Sequence, residues 1–327
     1  MTILVTGGAG YIGSHMTYAL GDRGERVVVL DNLATGIRAL VNPEAVFVEG
    51  SIADRKIVDA VLEDYGVEAV VHFAGSVVVP ESVENPMKYY QNNTAASCVL
   101  IEACIRRGIR NFIFSSTAAV YGTPDVPVVR EDLTPDPINP YGRSKLMVEW
   151  LLKDAAQAHD FRFVALRYFN VAGADPKGRT GQSTPRATHL IKRACQVALG
   201  REPYLEIFGQ DYPTADGTGV RDYIHVTDLI SAHLLVLDHL RGGGESSIYN
   251  VGYGQGISVR EIIDITKKVT GRKLAVRESP RRLGDPATLI ADSSHLKHRL
   301  KWEPQYADIK TIIRSAYEWE RRLNKVP

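Results

Sequence analysis

Tyr141 and Lys145 are the first residues whose spacing suggests chemistry, in the stretch Tyr-Gly-Arg-Ser-Lys. Side chains four residues apart on a helix lie on one face, one turn apart. A Lys ammonium close to a phenol favours the phenolate and lowers a pKa that is about 10 in the free side chain. The pair therefore predicts a proton acceptor for a sugar or alcohol hydroxyl near neutral pH. The alternative interpretation is a tyrosine that opens a helix, followed by a solvated lysine.

A glycine-rich segment near the start of the chain predicts a nucleotide site. Residues 3–6 form a short apolar run, and Gly7-Gly-Ala-Gly-Tyr-Ile-Gly13 follows it, before an amphipathic helix and a second apolar run that ends at Asp31. Glycines let the backbone approach a pyrophosphate, and a helix N-terminus favours the anion. A carboxylate about 20 residues further on binds both ribose hydroxyls and repels a 2′-phosphate. The segment therefore predicts NAD rather than NADP, although a bare glycine pattern is also typical of a tight turn.

Apolar runs continue to alternate with helical segments, which predicts an α/β doubly wound parallel sheet of the Rossmann type. The predicted strands cover residues 3–6, 27–30, 45–48, 67–73, 112–114 and 163–169. Ligands of such folds bind at the carboxyl ends of the strands. Thr117, just after the fifth strand, and Tyr141 are therefore placed where chemistry is expected. The alternative for Thr117 is a hydroxyl that caps the backbone.

The character of the sequence changes after Asn170, and a smaller, interleaved α/β substrate domain is predicted. We expect helices at 190–199, 228–240 and 257–269, a strand at 205–208, a loop at 211–225, and a strand at 246–251 that returns to the main sheet. The predicted NAD-binding domain is 1–170 with 226–255, and the predicted substrate domain is 171–225 with 256–327. Arg221 and Arg282, placed in separate loops, are suited to clamp a diphosphate, or else form surface salt bridges.

The composition narrows the class of protein. A formal net charge of +1 over 327 residues gives no reason to expect nucleic acid or a membrane surface as a partner. No run is long enough to span a bilayer, and no signal peptide is expected because the chain opens on a strand. Three cysteines without metal-ligand spacing predict a reducing compartment, the cytoplasm. No His, Cys and carboxylate cluster suggests a metal.

Several stretches together resemble the UDP-galactose (UDP-glucose) 4-epimerases of the extended short-chain dehydrogenase/reductase family. The glycine segment and the Tyr/Lys pair are common to the whole superfamily, whereas residues 216–225 are more specific to the epimerases. The stretches that carry the similarity are Thr6–Gly13, Asp31–Leu33, His72–Gly75, Glu81–Val83, Ser115–Gly122, Asn139–Lys145, Leu166–Asn170 and Gly217–His225.

The resemblance implies a role for each matching residue, with Tyr141, Lys145 and Thr117 as the catalytic set. The implied NAD contacts are Gly7, Gly10, Tyr11, Ile12, Gly13, Asp31, Asn32, Ser51, Ile52, Phe73, Ala74, Gly75, Ser76, Asn92, Thr117, Tyr141, Lys145 and Phe169. The implied UDP-hexose contacts are Thr117, Tyr141, Asn170, His189, Leu190, Glu206, Phe208, Arg221, Arg282, Asp285 and Leu289.

The implied reaction is an epimerisation at sugar C4. Tyr141 removes the hydroxyl proton through Thr117, hydride moves to NAD, the 4-keto sugar rotates while its UDP end stays anchored, and hydride returns to the opposite face. The resemblance also implies a homodimer that pairs helices at 92–107 and 141–158. Three positions depart from the family: Ser51 replaces a common Asp, Val77 replaces a Lys, and Leu289 replaces a Tyr at the sugar pocket.

Other functions remain as alternatives. A 4,6-dehydratase needs an acid and a base after the strand-end Thr, and Ala118-Ala119 supplies neither. A 4-epimerase of another UDP-sugar stays open, whether the N-acetylhexosamines, UDP-xylose and UDP-arabinose, or UDP-glucuronate. A non-catalytic NAD-binding sensor is the alternative from another class, and it is disfavoured because Tyr141 and Lys145 are both present.

Overall fold

The computed structural model describes residues 1–184, 187–282 and 285–323. Within them the strands are β1 Thr2–Thr6, β2 Arg26–Asp31, β3 Val46–Glu49, β4 Val67–His72, β5 Asn111–Ser115, β6 Val128–Val129, β7 Arg162–Tyr168, β8 Asn170–Ala172, β9 Leu205–Phe208, β10 Val220–His225, β11 Ser247–Val251, β12 Gly256–Ser258, β13 Val276–Ser279 and β14 Thr288–Ala291. The helices are α1 Tyr11–Asp22, α2 Arg55–Asp64, α3 Val79–Glu84, α4 Pro86–Tyr89, α5 Ala96–Arg106, α6 Pro140–Ala158, α7 Leu190–Ala198, α8 Val226–Arg241, α9 Val259–Thr270, α10 Ser294–Leu300 and α11 Ile309–Leu323.

Seven parallel strands form the main sheet in the order β11-β7-β5-β4-β1-β2-β3. Alternate side chains of β1 enter two separate cores, with Ile3 and Val5 on one face and Leu4 on the other. Helices α1 and α8 cover the first face, and α2, α5 and α6 cover the second. Burial on both faces explains why the strands are nearly continuous apolar runs. The predicted doubly wound fold is confirmed.

The remaining strands form smaller sheets that carry the second half of the chain. One runs β12-β10-β14-β6, with β8 paired to β10, and the other joins β13 to β9. Helices α7 and α9 pack on the β9 strand through an apolar cluster that includes Ala194, Leu205 and Ile263. The segment 247–251 pairs in parallel with β7 at the edge of the main sheet.

The predicted loop at 211–225 is wrong over its last six residues, which form β10. This strand pairs with β12 in antiparallel and with β14 and β8 in parallel orientation. The polar sequence of β10 did not predict a strand. It forms one because buried Asp222 accepts backbone N–H bonds from Tyr253, Gly254 and Ala291. Arg221 was expected in a loop, but it lies on strand β10.

Two predicted helices begin differently. A π-helical turn at Tyr90–Ala95 precedes α5, where one continuous helix was expected from residue 92. The helix expected from 257 begins at Val259, because Ser258 and Glu261 form a capping box there. Among the described residues, no helix has both the length and the apolar character to cross a membrane.

Candidate active site

The glycine loop after β1 forms a cradle at the N-terminus of α1. Gly7 has φ +68°, and a Cβ there would lie 2.6 Å from the Ala74 nitrogen. A Cβ at Gly13 would lie 2.2 Å from the Gly7 oxygen, so neither position admits a side chain. Gly10 caps α1 without a side-chain hydrogen bond, which leaves the first N–H groups of the helix facing the loop. This cradle fits the pyrophosphate of a dinucleotide.

Asp31 ends β2 beside this cradle and is held by the backbone. Its Oδ2 accepts the Ala9 N–H at 2.9 Å, and its Oδ1 accepts the Leu33 N–H at 2.8 Å. The buried carboxylate therefore helps to fix the loop, and its charge opposes a 2′-phosphate. The predicted neighbours lie nearby in sequence, with Asn32 exposed, Ser51 half-buried and Ile52 buried just after β3. The residues present fit NAD.

The loop after β4 is fastened by two asparagines. Asn92 donates to the Ser76 hydroxyl at 2.9 Å, as a cofactor-side residue should. Asn93, which the sequence did not single out, accepts the Ser76 N–H at 2.7 Å and donates to the Ser144 hydroxyl at 3.0 Å. The π-helical turn that carries both residues therefore joins the loop of Phe73, Ala74, Gly75 and Ser76 to α6.

Tyr141 lies in the first turn of α6, near the side chain of Thr117, which follows the end of β5 by two residues. Helix α6 begins there because Asn139 caps it, accepting the Gly142 N–H at 2.9 Å, with Pro140 at the first helical position. Burial raises the pKa of Tyr141, and the nearby Thr117 side chain opposes that rise. The structure thus brings together the two residues expected to share a proton.

Lys145 does not act on Tyr141 as the spacing predicted. Its Nζ donates to the Ser115 carbonyl at 2.9 Å and lies 4.9 Å from the centre of the Phe114 ring. Burial lowers the pKa of Lys145 to about 8. The expected lowering of the Tyr141 pKa is therefore wrong for this arrangement, because burial raises it and the Thr117 hydroxyl provides the opposing interaction.

The end of β7 forms the third wall of the site. Tyr168 contacts the Ser115 hydroxyl through its own hydroxyl group, and Phe169 is buried while Asn170 is exposed. Tyr11, at the start of α1, donates its hydroxyl to the Gly173 carbonyl at 2.7 Å. These bonds join the end of β5 to the end of β7, and the start of α1 to the segment that follows β8.

The expected diphosphate residues lie on the small sheets. Arg221 donates to Asp285 at 2.7 Å. The Arg282 guanidinium lies 3.8 Å from the centre of the Phe208 ring, which is half-buried on β9 on the same side as Glu206. Exposed His189 and half-buried Leu190 stand at the start of α7. The two arginines and the Phe208 ring supply cationic and aromatic groups of the kind that bind a nucleotide diphosphate.

Leu289 is 8% exposed and lies on β14 directly opposite Arg221 in the sheet register. It belongs to an apolar cluster with Ala118 and Phe169, which follow Thr117 and Tyr168 in the chain. This position is next to predicted catalytic and substrate residues. A role for Leu289 as the gate that admits or excludes a substituent beside sugar C2 stays a prediction.

Sequence reasoning missed a buried ion pair behind the site. Glu149 and Arg167 are 0% and 2% exposed and bind each other at 2.6 Å. A signal was present, because Glu149 follows Lys145 by four residues and so continues the Tyr141 and Lys145 face of α6.

The fold and site define an NAD-binding protein with a Tyr/Lys/Thr set at the strand ends, and comparisons with known proteins agree. The family model described as the NAD dependent epimerase/dehydratase family matches residues 3–252. The chain belongs to that family.

Similar proteins are named as epimerases. A UDP-glucose 4-epimerase of Azospirillum brasilense is 54% identical over 323 residues, covering 99% of this chain and 93% of that one. The crystal structure of a Brucella ovis UDP-glucose 4-epimerase in complex with NAD is 46% identical, with a TM-score of 0.94 and 97% of both chains covered. A UDP-Glc/GlcNAc 4-epimerase structure from Campylobacter jejuni is 48% identical, with a TM-score of 0.86 and 98% and 99% covered.

Proposed function

We infer that this chain is an NAD-dependent UDP-sugar 4-epimerase, an isomerase that interconverts UDP-glucose and UDP-galactose. The observation that carries this inference is the placement of Tyr141 near the Thr117 side chain, just after the end of β5, in a fold that also carries the NAD cradle. The full-length similarity to UDP-glucose 4-epimerases supports the choice of substrate.

The proposed work of the chain is proton transfer and orientation. Tyr141 takes the proton of the sugar C4 hydroxyl, directly or through the Thr117 hydroxyl, and later returns it. Bound NAD would supply reversible hydride transfer at C4 and, when oxidised, a positive charge that favours the phenolate. Lys145 holds the β5 end through its hydrogen bond to the Ser115 carbonyl.

Arg221 and Arg282 are proposed to anchor the UDP diphosphate. Asp285 holds the Arg221 side chain in place, and the Phe208 ring supports Arg282, so both guanidinium groups are oriented before a ligand arrives. Anchoring the nucleotide while leaving the sugar free is what a 4-keto group needs in order to present either face. We assign the sugar contact on this side to Asn170 and Leu289.

UDP-N-acetylhexosamines are the second candidate substrates. Leu289 stands where some of the resembling enzymes place a Tyr, and we expect the smaller side chain to leave room beside sugar C2. The name of the Campylobacter jejuni relative includes an N-acetylated substrate.

A cytoplasmic homodimer completes the proposal. Cys98, Cys104 and Cys195 are all free thiols, as expected in a reducing compartment. Trp150 is 53% exposed on α6, and Val83 and Met87 are also more than half exposed in α3 and α4. This apolar surface supports pairing through α5 and α6.

Replacing Tyr141 tests the function directly. Tyr141→Phe keeps the ring and removes the hydroxyl, so we expect NAD content and thermal unfolding to stay as in wild type while the NMR signals of UDP-glucose no longer appear from UDP-galactose. Tyr65→Phe, at the C-terminus of α2, is the matched control and should remain active. Turnover by Tyr141→Phe at the wild-type rate would refute the assignment.

A further inference from the structure

Helix α6 contacts the β5 end at three points, and only two belong to the proposed chemistry. Tyr141, Lys145 and Glu149 are spaced by four residues and are all buried. Lys145 donates to the Ser115 carbonyl at 2.9 Å, Glu149 Oε1 accepts the Ser116 hydroxyl at 2.5 Å, and Tyr141 lies near the Thr117 side chain. The helix thus holds Ser115 and Ser116 by hydrogen bonds and places Tyr141 near the next residue of the chain.

Glu149 takes no part in the proposed proton transfer, because both oxygens of its carboxylate already accept hydrogen bonds. Arg167 donates from Nε to Glu149 Oε1 at 3.0 Å and from Nη2 to Oε2 at 2.6 Å, in a two-point pairing. Glu149 is 0% exposed, so its carboxylate is not at a surface that a substrate could reach. A buried ion pair is weak evidence for stability, since well-packed apolar residues often serve as well. A geometric role accounts for the pair better.

Arg167 extends the restraint to both sides of Thr117. Its Nη1 donates to the Tyr121 hydroxyl at 3.0 Å, and Tyr121 closes the short 3-10 turn that begins directly after Thr117. Arg167 also immediately precedes Tyr168 and Phe169 at the end of β7. One charged pair therefore fixes the strand end before Thr117, the turn after it, and the neighbouring strand.

We propose that Glu149, with Arg167, is a positioning residue for the reaction inferred above: it sets the register of α6 against Ser115–Thr117 so that Tyr141 reaches the sugar hydroxyl. The helix rises about 1.5 Å per residue, and a misplacement of about 1 Å lowers a rate by up to about 100-fold. Loss of register therefore affects turnover while the UDP contacts on the small sheets remain in place.

Two variants remove the restraint in different ways. Glu149→Gln keeps the size of the side chain but removes its charge, and Ser116→Ala breaks the bond to the strand end while leaving the ion pair intact. We expect kcat to fall about 10- to 100-fold in Glu149→Gln and about 3- to 10-fold in Ser116→Ala, with KM changed less than about 3-fold. Because the nearby Thr117 side chain lowers the pKa of Tyr141, moving α6 away from Thr117 should shift the rising limb of the kcat–pH profile to higher pH.

A double variant separates positioning from stability. Glu149→Met with Arg167→Met replaces the pair by apolar side chains, so a pair needed only for folding would be replaced without loss of turnover. We expect the double variant to unfold at a temperature near that of wild type, while its kcat stays as low as that of Glu149→Gln. Glu25→Gln is the matched control, because Glu25 binds Arg241 in another two-point pair, next to the amino end of β2.

The measurements are kcat and KM with UDP-galactose across pH, bound NAD per chain, and a tyrosinate absorbance titration from which the matching Tyr141→Phe trace is subtracted. A Tyr141 titration that moves to higher pH in Ser116→Ala and Glu149→Gln, but not in Glu25→Gln, supports the inference. Wild-type kcat and an unmoved titration in Ser116→Ala and in any folded Glu149 variant would overturn it. Wild-type protein inactive on UDP-galactose would instead overturn the proposed function.

Discussion

Lys145→Met should stabilise the nucleotide-free protein at neutral pH while abolishing its activity. Lys145 is 3% exposed, and burial lowers its pKa from 10.5 to about 8. Below about pH 8 the folded protein holds a buried ammonium, whereas the unfolded chain holds a hydrated one. A fall of that size corresponds to a cost on the order of 3 kcal/mol, at about 1.4 kcal/mol per pH unit.

The replacement also removes one favourable contact. The Ser115 carbonyl loses its hydrogen bond from Nζ, which costs about 1 kcal/mol. A thioether can still rest against the Phe114 ring that Nζ now approaches. The expected net gain in the free energy of unfolding is therefore about 2 kcal/mol at pH 7, or ~3 °C in Tm for a chain of this length.

The gain should disappear as the pH rises. Between about pH 8 and 10.5 the unfolded chain binds more protons at Lys145 than the folded protein does, so wild-type stability rises relative to the variant. The difference in Tm should be largest near pH 7 and close to zero by about pH 9.5. The protein must first be stripped of nucleotide, because bound NAD would add its own binding free energy to the folded state.

The control is Lys153→Met, at an exposed position of the same helix. It should change Tm by a small amount that does not depend on pH. If Lys145→Met were less stable than wild type at every pH, or if its advantage did not shrink above pH 8, the reasoning from burial would be refuted.

Three other predictions concern cofactor, substrate and assembly. Asp31→Ala removes two backbone hydrogen bonds and the charge that repels a 2′-phosphate. In fluorescence titrations NADH should bind more weakly, and the preference of the protein for NADH over NADPH should fall at least about 10-fold; an unchanged ratio of the two affinities would contradict this. Leu289→Tyr should lower turnover of UDP-N-acetylgalactosamine relative to UDP-galactose at least about 10-fold, and equal rate ratios in wild type and variant would exclude the gate. By light scattering at micromolar concentration, wild-type protein should have twice the chain mass of 36.1 kDa, and Trp150→Glu should have the mass of a single chain. A monomeric wild type would count against the dimer.

The sequence was most informative where a backbone requirement selects the residue. Gly7 and Gly13 have no room for a Cβ, and Asp31 ends an apolar strand, so the NAD cradle could be predicted from residue type and order alone. The Tyr141 helix was equally accessible, since Asn139 and Pro140 are typical of a helix start.

What could not be predicted depends on contacts between segments far apart in the chain. Strand β10 was taken for a loop because its polar residues are satisfied by partners such as Tyr253 and Ala291, which lie tens of residues away. The expected lowering of the Tyr141 pKa by Lys145 was wrong for the same reason. Spacing along a helix does not show that the Lys145 ammonium donates to the Ser115 carbonyl instead. Glu149 needed its partner Arg167, on another strand, to be recognised.

Two of the crossings between the large and the small sheets have almost no connecting residues. Phe169 alone separates the last residue of β7 from the first of β8, and β10 passes into α8 with no residue between them. A protein joined in this way has no linker at these crossings about which its halves can swing to fit a larger or smaller sugar. We therefore expect the sugar site to keep a fixed size, so that the 4-keto sugar rotates while the protein stays in place. Acceptance of a new sugar should therefore arise through single side-chain replacements on the wall, and two enzymes with nearly superimposable backbones can differ completely in what they convert.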